Sequence, residues 1–163
     1  MEANKFSERE QGRGLVHRIS LPKLAYVIGI DPGTKTGVAF YCKLSKKLII
    51  VATMKIHEAF DAVRKVNQSS KEHDVKIFVR IEDARKRKRY GANSNAKVQG
   101  AGAIKIQCKQ WEEFLISEGI SYQLVAPQSI RTKVDAVQFK KITGWEGRTS
   151  NHGRDAGMLV FGL

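Results

Sequence analysis

The chain is short of cysteine, of long apolar runs and of acid. Its two cysteines, Cys42 and Cys108, stand alone in apolar settings with no metal-ligand spacing. That excludes a disulfide framework and predicts two buried thiols. No apolar segment is long enough to span a bilayer and no secretory pattern is present, so a soluble, cytoplasmic protein is expected. The shortage of acid is the most informative. Sixteen Asp and Glu face 29 Lys and Arg, which leaves a formal charge of +13, and the excess is clustered. Such an imbalance costs a compact fold through self-repulsion and brings no return unless a polyanion binds, with nucleic acid ahead of an acidic membrane surface. The membrane is set aside because no basic amphipathic helix ends in aromatic anchors. At 163 residues there is one domain's worth of chain, enough to bury roughly 70% of its unfolded surface.

What is present is organised around residues 25–37. The apolar run Tyr26, Val27, Ile28 and Ile30 stops at Asp31, and Pro32, Gly33, Thr34, Lys35, Thr36 and Gly37 read as a turn before apolar residues resume at Val38. A carboxylate is therefore held at the exit of a strand, where only a cation offsets the cost of burying it. Gly33 lacks the side chain that would keep a phosphate or metal from the backbone. Asp-Pro-Gly is also ordinary turn chemistry, so this stretch alone leaves both readings open. Residues 1–23 are polar and mixed in charge and are expected to form an arm whose Arg9, Arg13, His17 and Arg18 reach phosphate, ahead of a folded body over 24–163.

Two short apolar runs, 38–43 and 48–53, flank Leu44, Ser45, Lys46 and Lys47, which predicts an antiparallel meander of three strands. Helical spacing of Ala59, Phe60, Ala62, Val63 and Val66 over 57–73 predicts a crossover helix. The next run, 75–82, again ends in acid, at Glu82 and Asp83. Entered through a right-handed crossover, it should lie parallel to the first strand on that strand's free side, so that both strands end in carboxylates at the same edge. Arg85, Lys86, Arg87, Lys88, Arg89 and Tyr90 follow without a break. They are expected to form a solvated loop that draws a phosphate backbone over the acids, with Tyr90 as a ring for an unpaired base; a nuclear-import signal is the competing reading.

A long helix is expected over 96–117, closed by Gly119, and a fifth strand over 122–125, ended by Pro127. The helix's small residues Gly100, Ala101, Gly102 and Ala103 suit packing on its own sheet or, in the sharper reading, a dimer seam. Residues 128–147 read as short helices with a basic face, including Arg131, Lys133, Lys140 and Lys141, with Arg148 just beyond. Thr149 or Ser150 then caps a helix on which His152 and Asp155, three apart, share a face, and Ala156 and Gly157 let it sit close to the sheet.

Three or four carboxylates and one imidazole are thus gathered from distant parts of the chain. Hard oxygen ligands with little imidazole and no thiolate suit Mg²⁺ or Mn²⁺. Two such ions about 3.5–4 Å apart grip a scissile phosphate in phosphodiester hydrolysis.

Asp31 in IGIDPGTKTG, Glu82 in VRIED, the small-residue helix QGAGAIKIQ, Pro127 with Arg131, and His152 with Asp155 in NHGRDAGMLV together resemble the RuvC family of Holliday junction resolvases, its phage-type branch more than its cellular one, from Ala25 to the end. The resemblance implies an α/β, ribonuclease H-like fold: a five-stranded mixed sheet, antiparallel over strands 1 to 3 and then parallel at strands 4 and 5, with helices on both faces. It implies a homodimer in a bacterial or phage-infected cell that binds four-way and other branched DNA and makes paired symmetric nicks with Mg²⁺ or Mn²⁺. Asp31, Glu82 and Asp155 would be metal ligands, with His152 where the family has Asp or His. Arg131 falls where the family often has a phosphate-contacting Lys, and Lys140 or Lys141 would add a second cation. The run from Arg85 to Tyr90 stands where the family has a loop with an aromatic wedge. With Lys35 and Lys133 these basic residues make up the expected DNA-binding set, while Asp83 has no counterpart and would support the ligands from behind. Two alternatives stay open, a nuclease of RNA:DNA hybrids and a catalytically silent branched-DNA-binding protein.

Overall fold

The structure, a computed structural model, describes residues 23–86, 95–129 and 133–163, with the backbone alone over 95–101. The arm at 1–22 lies outside the described residues. Among the described residues, five strands and four α-helices follow in the order β1 (Lys23–Asp31), β2 (Lys35–Cys42), β3 (Lys47–Lys55), α1 (Ile56–Glu72), β4 (Val75–Glu82), α2 (Asn95–Ser117), β5 (Tyr122–Val125), α3 (Ala136–Thr143) and α4 (Asn151–Val160). The sheet runs β3-β2-β1-β4-β5. β1, β2 and β3 pair antiparallel, and β4 joins β1 and β5 in parallel. This is the mixed sheet expected from the crossover rule, and β4 and β5 have the predicted bounds. β2 starts three residues earlier than its apolar run, because Lys35, Thr36 and Gly37 pair with Lys55, Met54 and Thr53. The turn is thereby cut to residues 32–34, and Thr36 Oγ1 closes it by donating to Gly33 O at 3.0 Å.

Alternation along the strands sorts side chains to two cores. Ile28, Ile30, Val38, Phe40, Ile77, Val79 and Ile81 pack with Ala59 and Val63 of α1 and Trp111, Phe114 and Leu115 of α2. Phe60 stacks on Phe114 with centroids 4.4 Å apart and meets Trp111 edge-on at 4.6 Å. On the other face Val27, Ala39, Tyr41, Leu48 and Val51 pack with Val134, Phe139 of α3 and Ala156, Leu159 and Val160 of α4. Helices therefore cover both faces.

α4 lies on β1 and β2 with backbone against backbone. A Cβ at Gly29 would stand 2.1 Å from Ala156 O, and one at Gly37 would stand 2.0 Å from His152 O. The close approach expected of Ala156 and Gly157 is thus made by two glycines of the sheet. Gly157 makes room for Phe139, whose Cζ lies 2.7 Å from where its Cβ would be. Cys108 is buried as expected, but Cys42 is partly exposed. Hydrogen bonding from Ser45 pulls the Cys42 thiol below its ordinary pKa, whereas burial pushes Cys108 up.

Gly29→Ala and Gly37→Ala should each destabilise the fold by roughly 1–3 kcal/mol or more in denaturant unfolding, since backbone oxygen cannot step aside. Gly102→Ala meets nothing within 4 Å. In the α2 interior it should stabilise by roughly 0.5–1 kcal/mol.

Candidate active site at the carboxyl edge of the sheet

Asp31 ends β1 on the face that carries Val27 and Gly29, the face covered by α4. Glu82 ends β4 on the same side, two residues beyond Arg80, whose Nη1 donates to Leu159 O of α4 at 2.6 Å. Ile30 pairs with Ile81, so one further step along each strand sets Asp31 and Glu82 at neighbouring strand ends. Of the two candidate caps, Ser150 is the one used: its Oγ accepts the Gly153 N–H at 3.1 Å. The same hydroxyl is hydrogen-bonded to Thr53 Oγ1 of β3, which fixes the start of α4 over the sheet. His152, in the first turn, then meets Asp31: its Nδ1–H donates to Asp31 Oδ2 at 2.7 Å, with the carboxylate side chain 13% exposed and the imidazole 48%. Asp155 follows three residues on, and its Oδ1 accepts the Lys133 N–H at 3.0 Å.

The structure therefore brings His152 onto Asp31, sets Glu82 at the adjoining strand end and points Asp155 at the segment before α3. Among the described residues no group of three or more His, Cys, Asp or Glu side chains is arranged to hold a metal ion. The donor chemistry, three carboxylates and an imidazole, fits a hard divalent ion, but the arrangement is a bonded pair with two further acids rather than a closed cage. Asp31 takes a hydrogen bond from His152.

The basic residues divide. Arg85 was expected in a solvated run, yet its Nε and Nη2 clasp Asp83 Oδ1 and Oδ2 at 2.7 and 3.1 Å. Its Nη1 reaches Glu112 Oε2 at 3.0 Å, and Glu112 Oε1 accepts from Tyr122 Oη at 3.1 Å. The cause is Asp83, 2% exposed, which needs a cation in that setting. Hydrogen bonding to Asp83 in turn holds the Arg85 guanidinium above its ordinary pKa. Asp83 thus anchors the turn at Ala84–Lys86. Lys86 Nζ donates to Leu124 O at 2.8 Å, so the first two members of the run belong to the fold. Arg87, Lys88, Arg89, Tyr90 and Arg131 lie outside the described residues. Lys35 is exposed, on the α4 face of β2 by alternation from Gly37. Lys133 is exposed beside Asp155 with φ 63°, Lys141 is exposed, and Lys140 pairs with Glu146 at 3.2 Å in full solvent. On α2, Gly102, Ala103 and Ile106 are exposed, while only the backbone is described at Gly100 and Ala101.

Sequence reasoning missed Gly29, Gly37 and Arg154. Gly29 carried a legible signal, because it interrupts an apolar strand on the face that also holds Asp31, whereas Gly37 reads as part of the turn before Val38. Arg154 carried none, since a buried arginine and a surface one read alike.

The strand order, the parallel β4 beside an antiparallel meander and the helix laid across the strand bearing Asp31 define a ribonuclease H-like fold. The chain matches no protein-family model and no curated protein sequence. Among solved structures it is similar to T. thermophilus RuvC in complex with a Holliday junction substrate, with a TM-score of 0.52 at 17% identity over 83% of this chain and 89% of that one. The fold is therefore RuvC-like.

Asp83→Ala should cost roughly 1–3 kcal/mol in denaturant unfolding, because Arg85 loses both side-chain hydrogen bonds to Asp83 and keeps only its pair with Glu112. Lys140→Ala, which removes an exposed pair, should stay within about 0.5 kcal/mol.

Proposed function

We propose that the protein is a divalent-metal-dependent endonuclease that cuts branched DNA, resolving four-way junctions by paired symmetric nicks as a homodimer, and that it stands with the phage-type branch of RuvC. The observation that carries this reading is the meeting of Asp31 and His152, 121 residues apart in sequence, at the carboxyl edge of a RuvC-like sheet. A basic protein has no reason to collect acids there unless a cation and an anion are to be brought together. Asp31, Glu82 and Asp155, with His152, would hold Mg²⁺ or Mn²⁺, two ions in the fullest form. When bound, the metal supplies Lewis-acid stabilisation of charge on a scissile phosphate.

The chain's own residues do the rest. Gly29 and Gly37 bring α4 down until His152 reaches Asp31, and Ser150 with Thr53 fixes the register of that contact. The Lys133 amide orients one oxygen of Asp155. Lys35, Lys133, Lys140 and Lys141, with Arg87, Lys88, Arg89 and Arg131, would track phosphates, and Tyr90 would offer a stacking face to an unpaired base. Arg85 and Lys86 contribute their field while bonded within the fold. The exposed small residues of α2 would form the dimer seam.

A second reading, a catalytically silent branched-DNA-binding protein, is favoured by the lack of a three-residue metal cluster among the described residues. Hydrolysis of RNA in a hybrid is the rival enzyme. Cleavage of a junction, a fork, a flap and an RNA:DNA hybrid with Mg²⁺ or Mn²⁺ separates the three, and junction cleavage is expected. Asp31→Asn should lower cutting by roughly 10²-fold or more, while junction binding in EDTA holds or tightens as repulsion of phosphate falls. Retained cutting by that variant would remove Asp31 from the mechanism.

A further inference from the structure

Arg154 is only 9% exposed. Burying a guanidinium is expensive unless its donors find acceptors. Among the described residues those acceptors are all uncharged. Nε donates to Val134 O at 2.9 Å, Nη1 to Thr149 O and Oγ1 at 3.1 Å each, and Nη2 to Asn151 Oδ1. Asp155, the next residue, accepts the N–H of Lys133, the residue before Val134. Two successive side chains of α4 therefore grip two successive residues of the segment that leads into α3. Within that grip Lys133 sits at φ 63°, a left-handed conformation that few residues other than glycine adopt unless their surroundings impose it.

We infer that Arg154 is a positioning residue: acting through Val134, it holds Lys133 in the left-handed conformation so that the Lys133 amide stays on Asp155 and fixes the direction of that carboxylate. The consequence for metal binding rests on the nuclease reading; the clamp itself does not. A planar fork is required, because one group must reach Val134, Thr149 and Asn151 in different directions at once. A lysine ammonium at the same place keeps the charge and loses the fork.

Hydrogen exchange at the Lys133 amide, followed by NMR on the full chain, tests the clamp without metal or DNA. Arg154→Lys should speed that exchange by roughly ten-fold or more while amides in the middle of α1 keep their protection. Adding Lys133→Asn, whose side chain tolerates the left-handed region, should restore part of the lost protection, which a residue that merely fills space would not allow. Should Arg154→Lys fail to fold, the paired change Thr149→Val with Asn151→Ala removes two anchors of the guanidinium and should act in the same direction. Unchanged exchange at Lys133 in a folded variant overturns the proposal, as does a uniform loss across α1 and α4 that Lys133→Asn does not relieve. A Mn²⁺ titration by calorimetry keeps the two readings apart. Arg154→Lys should weaken Mn²⁺ roughly ten-fold. Unchanged Mn²⁺ affinity with lost amide protection overturns the link to Asp155. If the unaltered protein takes up no Mn²⁺, the nuclease reading fails while the exchange result still decides the clamp.

Discussion

The contact on which the rest of this structure depends is the descent of α4 onto the sheet at Gly29 and Gly37. Any side chain at either position would meet a carbonyl oxygen of α4 near 2 Å. With hydrogen atoms alone there, the helix backbone comes close enough for a short imidazole to reach a carboxylate on the strand beneath. Ser150 and Thr53 fix the helix lengthwise, and Phe139 slots against Gly157 to hold α3 over it. His152, Arg154 and Asp155 take their places from that one docking. Asp31 and Glu82 are set independently by strand register, so the site is the meeting of a rigid sheet edge with a helix whose height two glycines decide.

Electrostatics divides the charged residues into those that build the fold and those that face outward. Asp83, Arg85 and Glu112 form a closed set at the end of β4, and Arg154 is buried among carbonyls and hydroxyls, so neither is available to a partner. Among the described residues, Lys35, Lys133 and Lys141 are exposed. Lys133 stands beside Asp155 and Lys35 follows the turn after Asp31, a placement that suits a polyanionic ligand. The same logic explains why Asp31 holds a hydrogen bond to His152: an acid so little exposed does not stand without a donor.

The sheet was legible because its punctuation is chemical. Charge ends β4 at Glu82, Pro127 follows β5, and the right-handed crossover puts β4 beside β1, so the neighbouring acids could be read from order alone. Periodicity placed α1 and α2 to within a residue and the α4 cap fell on one of two candidates, whereas α3 with its Asp135 and Gly144 caps was read only as part of a stretch of short helices over 128–147. Side-chain commitments were not legible. Asp83 and Glu82 are adjacent acids, and only the alternation of a real strand and the position of Arg85 show that one is enclosed while the other faces α4. The run from Arg85 onward reads as uniformly solvated, yet its first two members are bonded into the fold. Cys42 and Cys108 look equivalent in sequence, and the end of β2 leaves one partly exposed. Arg154 illustrates the limit best, since its role lies in backbone carbonyls that any sequence would supply.

The central claim is that the acids at this edge share a divalent ion. Anomalous diffraction from a crystal soaked in Mn²⁺ tests it most directly. The account predicts a peak within coordinating distance of Asp31, Glu82 and Asp155, about 2.1–2.3 Å from their oxygens, with the bond between Asp31 and His152 rearranged to admit it. A fully occupied crystal with no peak at this edge, and with Asp31 still bonded to His152, would contradict it.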